Sequence, residues 1–261
     1  MSLLALTFAA GVAHGRGGGA DGRFEKRESS HFVLFQDVDI DETSGLRGSR
    51  RFEQQVLEAL EGGYDELERF LGLRPSRKLE VVVYDAAIFD REFSGLFRFA
   101  AAGFYSGIIR VRGEVRFTEQ LSRVLHHELV HAALDAAKPL AAFPGWFNEG
   151  MAEWFEARTH GKRHLNVWQL ATLEQARRAK QLIPFASLGG ASFARFDPGR
   201  AQLAYLESYG LMEHLARHHG ERALREFVVE LIRTGDVART LRRTFRADLG
   251  ALQAAFFAEL G

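Results

Sequence analysis

Residues 124–133 read Val-Leu-His-His-Glu-Leu-Val-His-Ala-Ala, and residues 144–155 read Pro-Gly-Trp-Phe-Asn-Glu-Gly-Met-Ala-Glu-Trp-Phe. The first stretch contains His127-Glu128-x-x-His131. On an α-helix four residues turn the chain by about 400° and raise it by about 6 Å, so the two histidines leave the same face one turn apart. That spacing suits two imidazole nitrogens converging on a tetrahedral zinc ion with bonds of about 2.0–2.1 Å. Glu128, about 100° round the helix, lies too far from this seam for a comfortable third ligand. It is placed instead to act as general base on a water in an open coordination position. With ten histidines in 261 residues, such a spacing arises by chance roughly a few per cent of the time, so the flanks matter. Leu129, Val130, Ala132 and Ala133 are uncharged, and a helix that buries polar side chains among such neighbours needs a partner for them.

The second stretch supplies one. It forms a helix after the loop Lys138 to Gly145, and helices joined by a short loop lie antiparallel and adjacent. Glu149, one turn in, can then face His127 and His131 as a third ligand. Glu153, four residues further on the same face, is placed to accept a hydrogen bond from the outer ring N–H of a ligating histidine. Asn148 is expected beside it in a supporting role. Trp146, Phe147, Met151, Trp154 and Phe155 surround these polar groups and predict a buried helix.

Outward from this pair, His31 to Phe35 and the β-branched Leu79 to Tyr84 read as strands, the second buried. Between them Arg50 to Leu73 carries apolar residues at helical spacing. Phe104 to Val115, with two glycines, suits an edge strand or hairpin. Helical spacing then recurs over 118–136, 146–158, 168–182, 200–219, 222–233 and 237–259. The order predicts an α+β fold: a small N-terminal sheet lobe with a long helix, the helix pair, and an all-helical C-terminal lobe. Residues 23–261 form one domain of two lobes, 23–136 and 137–261.

Composition narrows the chemistry. Lys plus Arg and Asp plus Glu number 34 each, and there is no cysteine. Zero net charge argues against a general nucleic-acid binder. Without cysteine there can be no disulfide scaffold, thiolate-held metal or cysteine nucleophile. Leu3 to Ala10 has the apolar run of a secretory leader but no preceding Lys or Arg, so residues 1–22 are read as a leader followed by the Gly-rich linker Gly15 to Gly22. The protein is accordingly secreted or periplasmic if that leader functions, and cytoplasmic otherwise. No apolar run reaches the roughly 20 residues of a transmembrane segment. His214 and His218 are also four apart, but no acid lies between them and they suit a last helical turn. His160 and His164 are expected in a solvated loop, and Arg239 to Arg246 on the outer face of an amphipathic helix whose Leu241 and Phe245 point inward.

HHELVHA followed by WFNEGMAE resembles the gluzincin zinc metallopeptidases, the thermolysin- and aminopeptidase-like clan, and within it the bacterial peptidase MA-like families. By order of elements the resemblance spans roughly residues 80 to 220, and by specific motif about 30 residues. It implies one zinc ion held by His127, His131 and Glu149, Glu128 as the catalytic carboxylate, and a peptide or protein substrate. It also implies an edge strand that aligns the substrate by strand addition, which falls on Gly107 to Val111 and so on Gly107, Ile108 and Ile109. Members of the clan carry a downstream hydrogen-bond donor to the oxyanion; the candidates are Tyr205 and Tyr209, and the AY-x-x-S pattern favours Tyr205, with Ser208 nearby. The aminopeptidase GxMEN sequence is absent, with FAAAGFYSG at 99–107 in its place. The metzincin pattern is disfavoured because Ala132 to Pro139 has neither His nor Gly. A zinc-containing binding module without activity, or a zinc hydrolase of a non-peptide bond, would use the same helix pair.

Overall fold

Leu79–Tyr84 (β3) forms the middle of a five-stranded mixed sheet whose strands, counted along the chain, lie in the order 1-2-3-5-4. The structure is a computed structural model that describes residues 24–38, 40 and 48–260; the expected leader and linker lie outside them. Phe32–Gln36 (β2) and Ile109–Arg112 (β5) flank β3 in parallel, with Leu34 opposite Val81 and Val81 opposite Ile109. Glu25–Glu28 (β1) and Gly103–Tyr105 (β4) close the ends antiparallel.

Side chains alternate across a strand, and both faces of this sheet are covered. Phe32, Leu34, Val81, Val83, Ile109 and Val111 enter the main core. Phe35, Val82, Tyr84 and Phe104 enter a second cluster on the other face. Gly48–Leu71 (α1) packs on the first face. The second is closed by a short helix that the sequence reading did not include, Ala86–Phe93 (α2), through Ile88, Phe89 and Phe93. Asp85 starts it by accepting hydrogen bonds from the Ala87 and Ile88 amides, an N-cap.

Glu119–Ala137 (α3) carries the histidines and begins at Thr118, whose hydroxyl accepts from the Leu121 amide. It packs against α1, β4, β5 and Gly145–Thr159 (α4). Val167–Arg178 (α5), Pro198–His219 (α6), Glu221–Thr234 (α7), Val237–Phe245 (α8) and Leu249–Ala258 (α9) complete the helical half. A side chain at Gly150 of α4 would stand 2.6 Å from the Ser208 carbonyl oxygen of α6. Those two helices therefore meet backbone to backbone, which only glycine permits. A side chain at Gly103 would likewise stand 2.7 Å from Val124, so glycine also lets β4 lie close to α3.

Several expectations need correction. The run 104–115 is a hairpin, but its β5 arm is bonded on both sides, and the strand at the end of the order is β4. Gly107 lies in the turn at φ 78° and Ile109 is fully buried between Val81 and Tyr105. The sheet edge is thus Gly103–Tyr105 instead of Gly107 to Val111. The helix expected over 237–259 is two helices, because Arg246 takes a left-handed φ of 59° and Asp248 starts a new helix by accepting from the Ala251 amide. That expected over 168–182 ends at Arg178, with Lys180 at φ 56°. Leu241 and Phe245 do point inward. Among the described residues no helix is long and apolar enough to cross a membrane.

Candidate metal centre

His127 and His131 leave α3 on its α4-facing side, and α4 returns Glu149 between them. Nε2 of each histidine lies 3.4 Å from Oε2 of Glu149. Two ligands about 2.0–2.1 Å from a zinc ion at the tetrahedral angle stand about 3.3–3.4 Å apart, so these donors have the spacing such an ion requires. All three residues are at most 1% exposed. His131 Nε2 and Glu149 Oε1 have no hydrogen-bond partner among the described residues, although buried polar atoms are as a rule satisfied. His127, His131 and Glu149 are a buried group that can hold a metal ion.

One outer ring nitrogen is hydrogen-bonded, and the other faces carboxylates at longer range. His131 Nδ1 stands 3.1 Å from Asn148 Oδ1, which can accept its proton and leave the Nε2 lone pair facing Glu149. His127 Nδ1 faces two carboxylates, Glu156 Oε2 at 3.7 Å and Glu153 Oε1 at 3.8 Å. Glu156 is in turn paired with the Arg123 guanidinium. Sequence spacing pointed to Glu153 and Asn148 but passed over Glu156 and Arg123. Glu156 lies seven residues beyond Glu149 and three beyond Glu153, the interval that keeps a residue on one helical face, so the signal was there.

The electrostatics favour positive charge at the centre. Burial works against a charged His127, yet the Glu149, Glu156, Glu153 and Glu128 carboxylates together raise its pKa well above the usual histidine range. Burial pushes Glu149 upward, and His131 and His127 more than offset it, holding the carboxyl below its ordinary range. Glu153 behaves differently: burial, reinforced by Glu156, lifts it to about 8. A cluster that draws a proton onto a fully buried imidazole would exchange that proton for a cation, since metal binding to histidine displaces protons.

Glu128 is fully buried, and its charge acts on both His127 and Tyr205. Burial and the nearby Glu149, Glu153 and Glu128 raise the Tyr205 hydroxyl well above its usual pKa, keeping it a donor. Tyr209, one turn along α6, has a different environment. After burial its largest influence is Glu213, with Arg158 opposing.

The remaining histidines sort differently. His126 turns away to the Ala59 carbonyl and the Thr159 hydroxyl, each at 2.8 Å. His160 is half-buried with Nε2 3.1 Å from the Ser122 hydroxyl, contrary to the solvated loop expected of it, whereas His164 is exposed and pairs with Glu213. His214, His218 and Glu259 form another group of metal-ligand type. There the Glu259 oxygens bond the two rings at 3.0 and 2.5 Å, and Arg217 sits on the same carboxylate, so the group is already neutralised by protein charges.

The chain matches no protein-family profile and no curated protein.

Proposed function

We propose that this protein is a zinc-dependent peptidase. The observation that carries the reading is the approach of two imidazole nitrogens to one Glu149 oxygen at the edge length of a zinc tetrahedron. The His127-Glu128-x-x-His131 spacing and the likeness of the two motifs to the gluzincin peptidases support it. His2Glu with an open position is a donor set of catalytic rather than closed structural zinc. His127, His131 and Glu149 would hold the ion, and the chemistry it would supply is a water of lowered pKa, about 7, and polarisation of a substrate carbonyl.

The protein's own residues do the rest. Asn148 holds His131, and the Glu156 carboxylate faces Nδ1 of His127, each ring presenting Nε2 inward. Glu128 takes the proton of the attacking water and later delivers it to the leaving amine, the work of a general base turned acid. Tyr205 donates its hydroxyl proton in a hydrogen bond to the developing oxyanion. An extended peptide would be aligned by strand addition at the end of the sheet. That end is β4, so Gly103–Tyr105 takes the part that sequence order gave to Gly107, Ile108 and Ile109.

The test is elemental analysis of the purified chain beside a peptide-library digest with and without chelator, for the native protein and Glu128→Gln. One zinc per chain, chelator-sensitive cleavage, and a variant that keeps zinc while losing about 10²–10⁴-fold in turnover are expected. Metal without cleavage in the native protein would make it a zinc-containing binding module, and cleavage without metal would refute the mechanism.

A further inference from the structure

Apart from the metal centre, one cleft is lined largely by arginine. The cleft, of about 430 Å³, opens between the end of α1, the turn after α4 and the start of α7, and Arg69, Arg158, Arg163, Arg222 and Arg225 line it with Glu221 as the one acid. Arg69, Arg158 and Arg222 are paired with carboxylates of the protein, which leaves Arg163 and Arg225 without a carboxylate partner among the described residues.

The groups divide into a floor and a rim. Arg158 is the floor: its side chain is 7% exposed and its guanidinium donates to Glu213 and Glu221, both at 2.8 Å, and to the Lys162 carbonyl at 3.0 Å. It also lies 4.8 Å from the centre of the buried Trp154 ring. The rim arginines are exposed. Arg225 donates to the Glu68 carbonyl rather than to a carboxylate. Arg69 and Arg222 pair only with acids one turn away on their own helices, Glu66 and Glu226. Exposed pairs of that kind contribute little, so these side chains can turn to a ligand. The first turn of α7, whose cap Gly220 brings no side chain, adds the positive end of a helix dipole to the same space.

We propose that this cleft binds a small anion carrying two or more phosphate groups. Guanidinium forks match phosphate oxygens two at a time. The volume falls in the range of about 300–1,000 Å³ usual for small-molecule sites, which is roomier than one phosphate needs. The site is separate from the metal ligands and does not depend on the peptidase reading.

Calorimetric titration of the full chain with pyrophosphate at fixed ionic strength tests the proposal. Saturable binding at one site is expected, weakened at least about tenfold in Arg163→Ala/Arg225→Ala. Both side chains are exposed, so the variant's thermal midpoint without ligand should match that of the native chain. No saturable binding up to roughly 10 mM, or equal binding by the double variant, overturns the proposal. Citrate binding as tightly as pyrophosphate overturns the phosphate assignment. Because pyrophosphate also chelates metals, the titration is repeated on Glu149→Ala. Heat that disappears with Glu149 but persists in the double arginine variant reports metal extraction and overturns the site.

Discussion

Asn148 and His131 stand 3.1 Å apart through Oδ1 and Nδ1, on neighbouring helices, and Asn148 is the residue next to the ligand Glu149. One turn of α4 therefore supplies both a proposed metal ligand and the group that fixes the tautomer of another. Asn148→Leu should remove the acceptor while keeping the volume. Zinc affinity, read by competition with a chromogenic chelator, should fall about 10–100-fold, and Asn148→Asp should restore most of it. Equal affinity in Asn148→Leu would show that the ring is held by packing alone.

The two acids behind His127 should separate. Glu153 is held neutral by burial and by its neighbour, whereas burial of Glu156 is more than offset by His127 and Arg123, which keep it low and ionised. Glu153→Gln mimics the neutral acid and should change zinc affinity by no more than about twofold. Glu156→Gln removes the charge that faces Nδ1 and should weaken affinity about 10–100-fold. The reverse order in the same chelator competition would return the supporting role to Glu153.

The tyrosines should separate too. Tyr205→Phe removes a donor that lies among Glu149, Glu153 and Glu128, and kcat on a cleaved peptide should drop about 10²–10³-fold with little change in KM. Tyr209→Phe, whose hydroxyl lies toward Glu213 and Arg158, should leave kcat within about threefold. Steady-state kinetics on both variants decides, and a larger loss at Tyr209 would exchange their roles.

Glu207 gives a pH dependence independent of the metal. It is fully buried on α6 and accepts the Ile183 amide at 2.9 and 3.1 Å. Burial lifts its pKa from 4.5 to about 8 in the folded chain. The folded state thus holds a proton that the unfolded chain releases, and this contribution to stability is full below pH 4.5 and is lost as pH rises through about 8. Glu207→Gln keeps an acceptor for Ile183 and removes the titration. Relative to the native chain it should gain on the order of 2–4 kcal/mol between those limits. Denaturant melts across the range, giving a constant difference, would contradict this.

Much of the site was legible because it depends on local spacing. Positions 127 and 131, and positions 149 and 153, share faces on any α-helix, and a short connection leaves little choice of packing. The strand Leu79–Tyr84 was read to the residue because a β-branched run buried on both faces has few other uses. What escaped is either short, as the eight-residue α2 is, or lacks an apolar pattern. Strand β1 is Glu-Lys-Arg-Glu, charged and half-solvated at the sheet's end, as edge strands that resist further pairing are. The break at Arg246 is set by one left-handed residue and an aspartate cap, which hydrophobic spacing passes over. The place of β4 at the edge depends on strand order, which no single strand encodes.

Gly150 fixes more than a packing distance. Since Gly150 brings no side chain, its backbone lies directly against the Ser208 carbonyl, and the contact sets how α4 and α6 lie against each other. The loss of freedom for Glu149 and Tyr205 is therefore incurred when the chain folds, ahead of any encounter with an ion. A divalent cation would meet two imidazole nitrogens already 3.4 Å from one carboxylate oxygen, and its capture would turn on dehydration and proton release.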